Sequence, residues 1–536
     1  MTMRRWNGWG DPSIEVALPG RSIELLDALV GPPLERPADA ILDDVVAAAP
    51  PSRLTTDPMW TVEPEDRIRH ARGQSLPDWI ALRSGRLGPI PDAVARPMDD
   101  AETRALVRRC RTDGLHLVPY GGGTSVVGGV STPATDRPVV VVDLGASGGL
   151  RHLDARSGLA TFGAGTFGPA VEQALEPHGS TLGHFPQSFE WSTVGGWVAA
   201  RSVGQESLAY GRMDELFAGG HVETPVGPLD LAPYPASAAG PDLRQVVLGS
   251  EGRLGIITDV IVRVSARPEV DVVRGYSIED RDRAIETARA LGRAGLPLSM
   301  IRLLSPAETA TAIAMSSDER RRRWLMRYLR WRGQSASASF LLVGMAGRPS
   351  VVRAVEGEVG RIVRGGRGVG VPGIGAAWRR QRFSGAYLRN ALWDAGYAVD
   401  TLETAATWEV VAPLADLLEP ALREGLAGDG ERVHAFSHMS HVYPSGSSLY
   451  ATYVYRRSGD PDLDLARWQR LKTTASDLIA GHGGTISHQH GVGRDHRRHA
   501  TAEKGEVGMA ALRAVARSVD PDGVMSPGVL FEDVEP

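Results

Sequence analysis

Across residues 100–114, DAETRALVRRCRTDG, apolar side chains recur at helical spacing and a glycine closes the run, which predicts a helix. The pattern then turns extended. Leu115 to Val118 and PVVVVDL (138–144) predict strands on either side of a glycine-rich loop. LATFGAGTFGPAVEQALEPHG (159–179) reads as strand, turn, helix and glycine cap, and RLGIITDVIVRVSARPE (253–269) as a long strand-rich stretch ending in proline. From about 270 the texture shifts again. Helical patterns at 279–295, 317–332 and 462–480 alternate with strand patterns at 338–347, 407–415 and 447–456, as in a separate antiparallel α+β module. Residues 1–85 are proline-rich with helical runs near 21–30 and 39–49, and 481–536 returns to glycine and histidine. The predicted organisation is an N-terminal segment 1–85, an α+β domain 86–268, a second module 269–480 and a C-terminal segment 481–536. There is no internal repeat.

At 536 residues the chain is too long for a single core, so more than one domain is expected. Apolar content of 42% and charge of 23% describe an ordinary globular protein, and a net charge of -5 argues against a general nucleic-acid binder. Cys110 is the only cysteine, which excludes an intrachain disulfide, iron–sulfur ligation and a cysteine-rich zinc site, and fits a reducing cytoplasm. The first residues lack the apolar core of a signal peptide, and no stretch of eighteen apolar residues occurs.

The loop PYGGGTSVVGG (119–129) then gains a chemical meaning. Gly121, Gly122 and Gly123 leave main chain bare, successive N–H groups in such a turn form a concave nest for an anion, and Thr124 and Ser125 add hydroxyl donors. A phosphate or pyrophosphate suits it; a flexible surface turn is the plain alternative. The loop follows a strand without opening a helix, and neither GxGxxG in a βαβ unit nor GxxxxGK[ST] is present.

Three further segments are dense in small and polar residues: FPQSFEWSTVGGWVAARSVG (185–204), YGRMDEL (210–216) and GSEGRLGIIT (249–258). With the glycine loop, in this order and spacing, they resemble the flavin domain of the vanillyl-alcohol-oxidase superfamily. Within it the chain is most similar to the alkyldihydroxyacetonephosphate synthase (alkylglycerone-phosphate synthase) family. RRWNGWGDPS at the start, SMIRLLSP (299–306), YLRNALWDAGYAVDTLETAATWE (387–409), SHVYPSGSSLYATYVY (440–455) and ISHQHGVGRDH (486–496) extend the resemblance over nearly the whole chain. It implies a PCMH-type FAD-binding domain followed by an antiparallel α+β cap. It implies FAD, bound without a covalent link, since the loop offers no histidine or cysteine. The activity implied is exchange of the acyl group of acyl-dihydroxyacetone phosphate for a fatty alcohol, a step of ether-lipid synthesis with no net redox change.

Carried over by position, the pyrophosphate would rest on Pro119, Tyr120, Gly121, Gly122, Gly123, Thr124 and Ser125. Gln187, Ser188, Glu190, Ser192 and Thr193 would line the flavin, together with Ala200, Arg201, Ser202 and Val203. Glu251, Gly252, Leu254, Gly255, Ile256 and Ile257 would complete the pocket. The resemblance makes Arg389 the grip on the substrate phosphate, a task suited to a guanidinium fork, with Arg302 of the cap as a second substrate contact. It makes Tyr450 the acid/base group at the substrate carbon. His488 and His490 match the outer members of a histidine triplet whose centre is Gln489 here. Glutamine cannot titrate. That departure keeps a second reading open, an FAD-linked oxidase or dehydrogenase of a hydroxy acid or polyol phosphate with His488 or His490 as base.

His488, His490, His496 and His499 are the only metal-type cluster, but Gly491 and Gly493 between them fix ligand geometry poorly and no metal is expected. In SSDERRRRWLMRYLRWRG (316–333), Ser317 could cap a helix that places Trp324, Leu325, Tyr328 and Trp331 beside a dense arginine face. The composition suits either a peripheral membrane contact or a stripe packed on the cap. A third reading follows, a non-catalytic flavoprotein that binds lipid through this helix. The expected partners are a small-molecule or lipid substrate and, as an open question, a second copy of the chain.

Overall fold

The computed structural model describes residues 4–315 and 319–532. Two sheets form the first half. Ala93–Ala95, Val139–Asp143 and His116–Tyr120 run parallel, with Trp60–Thr61 antiparallel on the edge. Burial on both faces explains why Val139 to Val142 is an unbroken apolar run. The second sheet is antiparallel and five-stranded, in the order Leu150–Asp154, Leu159–Gly163, Ile256–Arg263, Phe217–Thr224, Gly227–Leu231. The helix Asp100–Thr112 packs Leu106, Val107 and Cys110 into the core that the two sheets share. Its cap is Asp99, which accepts from the Glu102 N–H. The chain returns here at its end: Leu117 exchanges main-chain hydrogen bonds with Val524 and Ser526.

The second half is built on one seven-stranded sheet in the order Val369–Gly370, Val270–Ile278, Ser339–Gly347, Leu298–Leu304, Val433–Val442, Gly446–Arg456, Tyr397–Thr407. Every pairing in it is antiparallel. Helices Arg281–Arg293, Pro349–Gly365, Trp408–Glu424 and Pro461–Gly481 cover one face. Its other face looks toward the glycine loop, and the site lies between.

Two elements depart from the pattern-based expectation. TWEVVAPLA (407–415) is the start of a helix, Trp408–Glu424, and not a strand. Its buried positions, Val411, Leu414, Ala415, Leu418 and Leu422, have helical spacing that a nine-residue window truncates, and two prolines inside the helix hide it further. The strand lies just before it, Tyr397–Thr407, where alternating acidic and small residues masked the apolar period. The helix at 317–332 forms over Glu319–Trp331; the proposed Ser317 cap lies outside the described residues.

Candidate active site

A cavity of about 550 Å³ runs between the glycine loop and the cap sheet. The loop forms one end. Pro119 and Tyr120 finish a strand, and Gly123 turns the chain with φ +64°, a conformation that favours glycine. A side chain at Gly122 would overlap the Trp191 carbonyl oxygen, and one at Gly121 the Thr193 hydroxyl. The bare backbone therefore serves close packing of the 191–193 segment as well as any ligand. Among the described residues, the N–H groups of Gly122, Gly123 and Thr124 donate to no acceptor. Arg4 of the N-terminal segment hydrogen-bonds the Gly122 carbonyl and the Tyr120 hydroxyl, which adds a cation beside the nest.

The cavity wall takes in Pro119 to Ser125, Gln187, Ser188, Ser192, Thr193, Ala200, Ser202, Val203, Glu251, Gly252, Gly255 and Ile257. Four residues expected there lie off it. Glu190 accepts from the Tyr387 hydroxyl, Arg201 binds Gln245 and Asp214, Leu254 packs against the C-terminal helix, and Ile256 sits in the flavin-side core. Arg201, Leu254 and Ile256 each adjoin a lining residue in sequence while their own side chains pack elsewhere. A cavity with free N–H donors and a glycine cradle at one end fits a dinucleotide's pyrophosphate.

The cap sheet forms the opposite wall in ordered rungs. Residues directly opposite each other on paired strands share a face. One rung is Val399, Val454 and His434, the next Thr401, Thr452 and Phe436, and the third brings Tyr450 against Glu403 and His438. The wall thus passes from uncharged side chains, with burial holding the His434 pKa at about 4, to a rung with a carboxylate over four residues of strand. A β-bulge between Ser440 and Val442, with φ +48° at His441, turns both Ser440 and His441 to the cavity.

Arg389 enters from the helix Gly385–Asp394. It donates to the Gln74 carbonyl, lies 4.5 Å from the centre of the Trp79 ring, and comes no closer than 4.0 Å to Asp400. Its Nε and Nη2 are buried and unpartnered. Burial pulls its pKa down although Asp400 opposes this, so the guanidinium gains from an anion. Arg302 is already engaged: its Nη2 donates to Glu308 at 3.0 Å and lies 3.1 Å from His438 Nδ1.

Tyr450 donates to Thr401 Oγ1 at 3.0 Å. Burial pushes its hydroxyl up to about 12, partly opposed by that hydrogen bond. The His438 ring stacks on it at 5.0 Å, and His490 meets it edge-on at 5.7 Å. His490 and Gln489 line the cavity. His488 does not: its Nε2 is 2.7 Å from the Tyr443 hydroxyl, and burial holds its pKa at about 4. His496 and His499 stand apart, beside Ser476 and Asp477.

Two buried carboxylates hold the 487–493 loop. Glu403 Oε1 accepts from the N–H groups of His488, Gln489 and His490 at 3.2, 2.7 and 2.7 Å. Burial opposes its ionisation, but the histidines and these N–H groups outweigh that and keep its carboxyl below the usual range. Glu251 accepts from Val492 and Gly493 at 2.7 and 2.8 Å, and burial pushes it up to about 7. Neither Glu403, Glu308 nor His438 was singled out from the sequence. For Glu403 and His438 the one signal was alternation along the strands, visible only once the pairing is known, and Glu308 lies in the first turn of the helix Pro306–Ala314.

The fold and site define a class: a PCMH-type, FAD-binding protein. A family model described as "FAD binding domain" matches residues 91–229, and one described as "FAD linked oxidases, C-terminal domain" matches 267–530. The structure resembles p-cresol methylhydroxylase with a TM-score of 0.70 at 16% identity, over 92% of this chain and 96% of that one. The chain carries both of these domains and is a homologue of the alkyldihydroxyacetonephosphate synthases. It is 26% identical to the alkyldihydroxyacetonephosphate synthase of Dictyostelium discoideum, over 99% of this chain and 94% of that one. A solved alkyldihydroxyacetonephosphate synthase superposes with a TM-score of 0.84 at 24% identity, over 98% of both chains.

Proposed function

We propose that this protein is an FAD-dependent alkyldihydroxyacetonephosphate synthase-like enzyme, exchanging the acyl group of acyl-dihydroxyacetone phosphate for a fatty alcohol. The observation that carries the reading is a single cavity that joins a dinucleotide-type nest, a buried arginine with two unpartnered donors and a wall ending in apolar side chains. A redox enzyme of small hydroxy acids needs no such apolar limb. When bound, non-covalently on the 119–125 loop, FAD supplies a ring able to accept and return the three-carbon unit without net oxidation.

Arg389 holds the phosphate through Nε and Nη2, and remote binding of this kind orients the reacting carbon. Tyr450 carries its proton at neutral pH, because its pKa lies near 12, so it first presents a donor to the substrate carbonyl and exchanges its proton as the carbon reacts. Leu26, Leu392, Met315 and Phe436 line the limb where the aliphatic chain rests. Purified protein mixed anaerobically with acyl-dihydroxyacetone phosphate and a long-chain alcohol should form ether without lasting flavin bleaching. Bleaching by hydroxy acids with no ether product would replace this reading with the oxidoreductase.

Peripheral membrane contact belongs to the same proposal. The helix Glu319–Trp331 exposes Trp324 and Trp331, 53% and 77% accessible, among arginines, and Met315 of the cavity lies a few residues before it. No helix among the described residues is long and apolar enough to cross a membrane. Flotation with anionic vesicles should carry the protein, and replacing both tryptophans with serine should abolish this; unchanged flotation would return the helix to a cap-packing role.

A further inference from the structure

We propose that His438, oriented by Glu308, is the general base that takes the proton from the incoming fatty alcohol. The inference rests on the synthase reading above and supplies what Gln489 cannot.

His438 stands where the two halves of the substrate wall meet. Along its strand, His434 and Phe436 line the cavity on one side of it, and Ser440 and the bulged His441 on the other. An alcohol whose chain lies along the His434–Phe436 rungs brings its hydroxyl to the third rung, beside Tyr450. His490 sits across Tyr450 from this approach, on the loop anchored to Glu251 and Glu403.

The chemistry of the pair is that of an oriented imidazole. Glu308, nearly buried at the start of the helix Pro306–Ala314, sends Oε1 to Arg302 at 3.0 Å and Oε2 to His438 Nδ1 at 3.0 Å. Oε2 can only accept, so the ring proton lies on Nδ1 and is donated to Glu308, while Arg302 Nη2, 3.1 Å from the same nitrogen, donates to Oε1. Nε2 then carries the lone pair, and among the described residues it makes no hydrogen bond. Stacking on Tyr450 fixes the ring plane. The groups facing His438 are Arg302, Glu308, Tyr450 and His441. Burial and Arg302 draw its pKa below the usual histidine range while Glu308 opposes them, so the ring is neutral, and able to accept a proton, at pH 7. In the exchange, the ester bond between the substrate's C1 and the acyloxy oxygen breaks and the acylate leaves with that electron pair. The alcohol oxygen forms the new C1–O bond, and its proton passes to His438 Nε2 and then to water. No oxidant or reductant is consumed.

His438→Ala tests this on the holoenzyme. Ether formation should fall by ~10²–10⁴-fold, the usual contribution of a positioned base. Release of acylate on mixing with acyl-dihydroxyacetone phosphate alone should fall far less than ether formation, FAD should be retained, and imidazole in the buffer should restore part of the ether. Glu308→Gln, which keeps the ring, should move the acid limb of the alcohol-dependent step to lower pH, since the histidine loses the anion that raises its pKa. Full ether synthesis by His438→Ala would overturn the assignment, as would equal loss of acylate release and ether with no rescue by imidazole. If the unaltered protein forms no ether with any alcohol, the synthase reading itself falls and the base assignment with it.

Discussion

The two walls of the cavity are made in opposite ways. On the flavin side, chemistry resides in main chain: a glycine turn whose free N–H groups face the cavity and whose missing side chains let the 191–193 segment close in. On the cap side, chemistry resides in side chains set at every second residue of paired strands and held by neighbours on the next strand or helix, as Glu308 holds Arg302 and His438. Backbone sites are short in sequence and tolerate almost no substitution at their glycines. Side-chain sites are dispersed over a hundred and fifty residues and are graded, each position contributing by degrees.

Substitution should expose that difference. Gly122→Val should give no folded, yellow protein, because the new side chain must displace the Trp191 main chain whether or not FAD is present. Soluble Gly122→Val with normal flavin absorbance would show that the loop yields more than its packing suggests. Arg389→Ala should lower kcat/KM for phosphorylated substrate by ~10³-fold, as expected from losing two charge-assisted hydrogen bonds, with flavin content intact. Arg389→Lys should show its loss chiefly in KM, since lysine keeps charge but not the fork. Unaltered kinetics in either variant would remove Arg389 from the phosphate site.

A third test concerns the seam between the walls. Glu251 has its pKa raised from 4.5 to about 7 in the fold, so the folded protein binds more protons than the unfolded chain between those values. Stability from this group is therefore full below pH 4.5 and lost as pH rises to about 7. Relative to Glu251→Gln, the native protein should lose about 3 kcal/mol across that window, read from denaturant midpoints at each pH. A constant difference would mean that Glu251 ionises as in water. The smallest effect is expected from Glu403→Gln. With the carboxylate charge gone but an oxygen still able to accept N–H bonds, the histidine loop should loosen and kcat should fall about tenfold, near the ~1.5 kcal/mol of one charged hydrogen bond. FAD content and substrate KM should stay unchanged, and equal loss of flavin would mark Glu403 as purely structural.

The same contrast sets what could be read from the chain. The glycine loop, the small-residue segments and Arg389 are visible because contiguous composition or a local motif carries them. Glu308 and His438 are 130 residues apart, one in the first turn of a helix and the other on a strand, so no local pattern announces their contact. His488 and His490 look equivalent in ISHQHGVG, yet one ring turns to Tyr443 and the other to the cavity, a choice made by the three N–H groups fastened to Glu403. The strand misplaced at 407–415 fails for a related reason: a buried helix with two prolines shows less of its period in a short window than a strand does.

The loop from Ser487 to Gly493 is tied at one end to a carboxylate of the cap and at the other to a carboxylate of the flavin-side wall. It behaves as a tie-rod between two bodies. Any rocking of the cap against the flavin side must stretch or slacken it, and His490 lies midway along its length. Entry of a long substrate and placement of that histidine are thereby one mechanical event, so a substrate too short to seat the cap would meet a histidine out of position.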